Sequence, residues 1–263
     1  MGYRTPEPDH RVHYGLPSPY LTVIFSLDDG VESASELAAL ATARPDPLIA
    51  AGLHPTTSYV LERAGQSGIQ LAVHPLACRA LLGLPASELS VTEYDGRELL
   101  RRAAVITQQR LTETTDWASA FALLGEHLTS ALGEHRSEVR PELRHAWQLL
   151  AGSDGRPIGD IAATVGLTPR HLGNLFQREV GRSPKSVAQL FRFHRAVREI
   201  RSAIGRSIRV DLSAVAVAAG YTDQCHLTRD FTHRLGVPPG RWIREEFRNL
   251  QDHSLMAGAD SLT

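Results

Sequence analysis

The chain has 263 residues, of which 42% are hydrophobic, and its 28 Lys+Arg against 29 Asp+Glu leave a formal net charge of −1. That composition can bury a real core and excludes a charge-driven disordered chain. No apolar stretch approaches the roughly 18 residues a membrane span needs, so the chain reads as cytoplasmic. Its two cysteines, Cys78 and Cys225, show no CxxC spacing, which excludes a disulfide framework and a thiolate zinc site.

The near-neutral total conceals a division along the chain. Residues 1–140 carry 11 basic against 17 acidic side chains, net −6, whereas residues 141–248 carry 17 against 10, net +7. Concentrated positive charge is what a module that neutralises phosphates requires.

In chain order, residues 19–27 are rich in β-branched and aromatic side chains and run into Asp28-Asp29-Gly30, predicting a strand and a turn. Residues 58–63 and 69–74 flank Ala64-Gly-Gln-Ser-Gly68, which predicts a hairpin. Helical spacing follows over 75–82, 97–111 and 117–132, the last with Trp117, Phe121, Leu124 and Leu128 as its apolar stripe and Asp116 as its cap. Residues 134–140 have little apolar content and precede Pro141. The expected organisation is an α/β domain over 1–133, a linker over 134–140, a helical domain over 141–248 and a mobile tail over 249–263.

The helical half contains a repeat. His171-Leu172-x-x-x-Phe176-x-x-x-x-Gly181-x-x-Pro184 returns 55 residues later as His226-Leu227-x-x-x-Phe231-x-x-x-x-Gly236-x-x-Pro239. Upstream, Ile158-x-x-Ile161-Ala162-x-x-x-Gly166 returns 54 residues later as Leu212-x-x-Val215-Ala216-x-x-x-Gly220, so the second copy has one more residue in its turn region. Each copy reads as helix, tight turn, helix. The small alanine permits close approach, glycine ends the first helix, and Thr168 and Thr222 are the expected N-caps of the second. Between the copies, Ser183-Pro184 starts a helix running to about Ile204, with Gly205 ending it. The apolar stripe of Leu172, Leu175 and Phe176 leaves Arg170, Asn174 and Gln177 on the opposite face, as Leu227 and Phe231 leave Cys225, Arg229 and Thr232.

With Gly166-Leu-Thr-Pro-Arg-His-Leu172, Phe176, Gly181-Arg-Ser-Pro-Lys185, Gly220-Tyr-Thr-Asp-Gln224 and Arg229-Asp-Phe231 in view, residues 141–248 resemble the DNA-binding domain of the AraC/XylS family of bacterial regulators. The resemblance implies a seven-helix module whose second helices enter the major groove, with Arg170, Asn174, Gln224, His226 and Arg229 reading base edges. Arginine can be bidentate to guanine, and asparagine or glutamine to adenine. Thr168, Gln177, Thr222, Lys185 and Arg192 are the candidates for backbone phosphates. Upstream, Gly68-Ile-Gln-Leu-Ala-Val-His-Pro75 and Arg79-Ala-Leu-Leu-Gly83 are similar to the first half of a subset of actinobacterial members.

The fold class expected is therefore an α+β N-terminal domain followed by an all-α domain of two helix-turn-helix subdomains joined by a long helix. The function expected is sequence-specific transcription regulation, with double-stranded DNA, a small-molecule effector, RNA polymerase and a second copy of the chain as partners, and with no cofactor or metal. His226 has Asp230 one turn later as an alternative partner. His171, beside the apolar stripe, is assigned a structural role. His10, His13, His54 and His74 match no zinc spacing. Two rival readings remain: a helical-repeat scaffold for an acidic partner, and a regulator fused to a catalytic N-terminal domain, which would require Cys78 to be accessible and activated.

Overall fold

The computed structural model describes residues 1–5, 11–89, 95–134, 139–152, 155–206 and 209–245. The described strands are β1 (Gly2–Arg4), β2 (Arg11–Gly15), β3 (Leu21–Ser26), β4 (Glu32–Ala34), β5 (Leu48–Ala51), β6 (Ser58–Glu62) and β7 (Ser67–Val73). They form two antiparallel sheets, one ordered β1-β7-β3-β5 and the other β2-β6-β4. In the register of the first, Val23 lies opposite Ala50 and Leu71, and Phe25 opposite Leu48 and Ile69. One face therefore carries Leu21, Val23, Phe25, Leu48 and Ile69, each at most 1% exposed. The other face presents Ile24, Ile49 and Ala51, which pack with Val31 and with Val60 of the second sheet.

The helices are α1 (Leu37–Leu40), α2 (Cys78–Leu82), α3 (Gly96–Leu99), α4 (Arg102–Leu111), α5 (Trp117–Glu134), α6 (Pro141–Ala151), α7 (Ile158–Thr164), α8 (Pro169–Val180), α9 (Pro184–Gly205), α10 (Leu212–Ala219) and α11 (Gln224–Leu235). Residues 239–245 are also helical, so the described part of 141–248 has seven helices, as the resemblance implied. α4 and α5 cover the first sheet: Gln108 of α4 donates to the Ser26 carbonyl at 3.2 Å, and His127 of α5 meets the Phe25 ring edge-on at 6.3 Å. Asp116 caps α5 as expected, accepting from the Ser119 amide at 2.9 Å and its hydroxyl at 2.7 Å. These bonds hold its carboxyl below the usual range.

The structure corrects several expectations. β6 and β7 do not form a hairpin. A tight turn, in which the Gln66 amide donates to the Arg63 carbonyl at 3.2 Å, sends β6 into one sheet and β7 into the other. Gly65 takes φ +76 there and donates to the Thr5 carbonyl at 3.0 Å, tying the corner to the chain after β1. The apolar face of α5 is also rotated from the expected stripe. Ala120, Leu124 and Ala131 are buried, whereas Phe121 is 45% exposed, because small alanines bring the helix close to its neighbours. Trp117 and Phe121 instead lie close against Gly2 of β1.

Compactness divides the chain between Leu190 and Phe191, within α9. The unit Met1–Leu190 thus holds the two sheets together with the first helix pair, and Phe191–Thr263 holds the second. Most of the expected linker, and the tail after 248, lie outside the described residues.

Candidate nucleic-acid interface

The two copies of the repeat build the same corner. The amide of Leu167 donates back to the Ala162 carbonyl at 2.9 Å, and that of Tyr221 to the Ala216 carbonyl at 2.8 Å. Both alanines are fully buried. The intervening Gly166 and Gly220 adopt φ +72 and +85, a left-handed backbone that costs little only without a Cβ.

In the first copy Thr168 caps α8, accepting from the His171 amide at 3.2 Å, and Pro169 occupies the first helical position. Leu172, Leu175, Phe176 and Val180 are buried along one side. Arg170, Asn174 and Gln177 are exposed along the other, and Lys185 is exposed in the first turn of α9. Among the described residues, no hydrogen bond or ion pair engages Arg170 or Asn174. His171 is exposed rather than part of the buried stripe; it lies near enough to Glu142 to help hold that carboxyl low, after the larger effect of the Arg140 hydrogen bond.

In the second copy the cap is Asp223, not Thr222: its carboxylate accepts from the His226 amide at 2.7 Å, and α11 begins at Gln224. Asp223 lies 55 residues after Thr168, so the added residue of the second copy falls before the cap and displaces Thr222 outward. Thr222, Gln224, Cys225 and Arg229 are exposed. Gln224 accepts from the Ser213 hydroxyl of α10 at 2.9 Å, which occupies one acceptor lone pair and leaves its amide hydrogens to donate. Arg229 donates from Nε to the Cys225 carbonyl at 3.3 Å. His226 is half-buried, edge-on to the Tyr221 ring at 5.1 Å.

Asp230 does not serve His226. It accepts from the Tyr221 hydroxyl at 2.6 Å and pairs with Arg234 at 2.9 Å, while Arg234 lies over the Phe193 ring at 5.4 Å and is 5% exposed. Burial, then the Asp230 charge, push the Tyr221 hydroxyl far above its ordinary range. Arg192 sits with its guanidinium over the other aromatic surface available, the Tyr221 ring, at 4.8 Å. This network was not read from the sequence; the four-residue spacing of Asp230 and Arg234 on one helix was the available signal.

The sequence also gave no sign of how the first copy meets the N-terminal region. Trp147 of α6 stacks on Phe176 at 6.2 Å and faces His74 at 5.0 Å. Arg79 of α2 pairs with Glu179 at 2.8 Å, and the Ser87 hydroxyl donates to the Arg178 carbonyl at 2.6 Å. Arg182 donates to the Leu53 carbonyl at 2.8 Å. A cavity of about 130 Å³ opens along this seam, lined by Leu76, Arg79, Arg140, Leu143 and Glu179 among others.

Cys78 is fully buried, and burial pushes its thiol up to about 12, so it fails the condition of accessibility and activation that a catalytic reading set. No group of acidic, histidine or cysteine side chains among the described residues could hold a metal, and no described helix is long and apolar enough to cross a membrane.

Two helix-turn-helix corners, each showing a polar face on its second helix, have the form of a DNA-binding module. Residues 161–245 match the family model of a helix-turn-helix domain of the AraC type, a DNA-binding domain of transcription regulators. ToxT of Vibrio cholerae is similar in fold, with 9% identity, a TM-score of 0.53 and 92% of this chain and 96% of that one covered. The same holds for ToxT of Vibrio cholerae O395 bound to (E)-4-(8-methylnaphthalen-1-yl)but-3-enoic acid, at 9% identity, TM-score 0.52 and coverage of 92% and 96%. No curated protein matches.

Proposed function

We propose that the chain recognises a bipartite duplex site, α8 reading one base cluster through Arg170 and Asn174, and α11 a second through Gln224, His226 and Arg229. The observation that carries this reading is the repetition: one corner built twice, each time with an apolar face buried and a polar face exposed on the second helix. Thr168, Gln177, Thr222 and Lys185 are the phosphate contacts, and Arg192 adds charge from its place over Tyr221.

Residues 1–133 are the control region, answering a small molecule or self-association, and 141–248 the DNA-binding region. The small-molecule arm draws support from the ToxT structure that holds a butenoic acid compound. The chain acts in the cytoplasm by binding, without catalysis, and reaches transcription through RNA polymerase.

The test is selection of binding sites from random duplexes by wild type, Arg170→Ala and Arg229→Ala. Each substitution relaxes a different cluster by roughly 1–3 kcal/mol per lost base contact, while salt-dependent affinity for any duplex persists. Relaxation of the same positions by both variants overturns the bipartite reading. Indifference to base sequence in the wild type favours the scaffold for an acidic partner.

A further inference from the structure

We propose that the N-terminal region sets the position of the first reading helix through a clasp on its last turn, and that Ser87 and Arg79 are positioning residues for base reading by Arg170 and Asn174. The inference rests on the function proposed above and adds to it which half of the DNA site the N-terminal region governs.

The last four carbonyls of a helix have no partner within it. One of those of α8, on Arg178, accepts from the Ser87 hydroxyl at 2.6 Å. The next residue, Glu179, receives the Arg79 guanidinium at 2.8 Å, and that pairing contributes to holding the Glu179 carboxyl low despite its partial burial. Gly181, in a left-handed conformation at φ +75, ends the helix so close to Ser87 that a Cβ there would stand 2.9 Å from the Ser87 Cα. One residue further, Arg182 donates to the Leu53 carbonyl at 2.8 Å. Four of the five positions from 178 to 182 are thus gripped by three separate places in the N-terminal region: residue 53, α2, and the 3-10 turn Ala86–Glu88.

A helix transmits such a grip along its length. Asn174 and Arg170 lie four and eight residues before Arg178, about 6 and 12 Å along the axis. Base-edge hydrogen bonds hold only over a few tenths of an ångström in length, so displacement of the clasped end carries both side chains out of reach. α11 is held by different means. Its last turn is fastened by Arg234 to Asp230 of the same helix and, through Asp230, to Tyr221. A change in the N-terminal region that moves Ser87 or Arg79 therefore alters reading by α8 and leaves reading by α11 as it was: control is exerted on one base cluster.

The experiment is binding-site selection with the full chain, comparing wild type, Ser87→Ala, Ser87→Thr, Arg79→Ala and Arg110→Ala, with thermal unfolding of each. Arg110 is exposed on α4, and its substitution matches the charge change of Arg79→Ala. Ser87→Ala and Arg79→Ala weaken preference in the cluster that Arg170→Ala also relaxes, by about threefold to tenfold, the range of a single hydrogen bond. The other cluster stays at wild-type preference, Ser87→Thr restores the first, and Arg110→Ala has no effect. The inference is overturned if the clasp variants, unfolding as wild type does, weaken both clusters alike, or neither, while wild type selects both. It is overturned equally if Ser87→Thr behaves as Ser87→Ala. A wild-type chain that selects no sequence defeats the proposed function itself and is told apart by that result.

Discussion

Asp230 shows how much a single carboxylate on a reading helix can be asked to hold. It satisfies the Tyr221 hydroxyl and the buried Arg234 guanidinium together. Removing it takes from Arg234, 5% exposed, the carboxylate with which it pairs at 2.9 Å. Asp230→Ala should therefore cost about 3–5 kcal/mol, the range for breaking a buried pair from one side. Urea unfolding followed by Trp242, which is 1% exposed in the same unit, measures it; a loss under about 1 kcal/mol would place the pair among weak surface bridges instead. At this scale the sequence was half legible. Arg170, Asn174, Gln177 and Arg229 lie exposed where the apolar stripe demanded. The Thr222 cap was misplaced by one, because the repeat offers both a 54- and a 55-residue displacement and threonine and aspartate are both good caps. The four-residue spacing offers Asp230 as an alternative partner for His226, and only packing reveals that Tyr221 and Arg234 occupy the carboxylate.

Long elements with a 3.6-residue period were legible and short strands were not. α8, α9 and α11 needed only an apolar stripe, a cap and a terminal glycine. β5, Leu-Ile-Ala-Ala, is buried on both faces and shows no alternation; β2 and β4, of five and three residues, give too little pattern to separate from loop. The corner between β6 and β7 has hairpin residues, but partner strands elsewhere in the chain decided which sheet each joined. The helix pairs supply the prediction at this scale. Leu172 and Leu227 are both fully buried, and each substitution by alanine should cost roughly 2–5 kcal/mol. Because the two lie in different compact units, Leu172→Ala should lower the unfolding transition of Met1–Leu190 and Leu227→Ala that of Phe191–Thr263. Tryptophan fluorescence and calorimetry together resolve the two; identical effects on a single shared transition would show the units to be coupled into one.

At the scale of the whole molecule, stability should depend on pH in a direction fixed by buried imidazoles. Burial pushes His54, His74 and His194 below their ordinary value of 6.5. Below 6.5 the unfolded chain binds protons that the folded chain refuses, so stability is full above that value and declines as pH falls through it toward the lower folded values. The carboxylates held low, such as Glu179 and Asp95, add their own loss only near the acid range below their ordinary values. Urea midpoints at pH 7.5 and 5.5 should therefore differ, the lower pH giving the less stable chain; equal midpoints would refute the assignment. The fold class was legible at this scale from two periodicities and a charge division. The grouping of the first helix pair with the sheets was not, because Arg79, Ser87 and Leu53 meet α8 and its flank across about a hundred residues of chain, and no local pattern records such a meeting.

Of the two thiols, one is sealed in the core and the other, Cys225, stands exposed in the first turn of α11, between Gln224 and His226. A chemist therefore finds in the natural chain a single reactive handle set into one of its proposed reading surfaces. A fluorophore or spin label attached there would sense occupancy of the second base cluster alone, and alkylation slowed by duplex would time its engagement without any engineered residue.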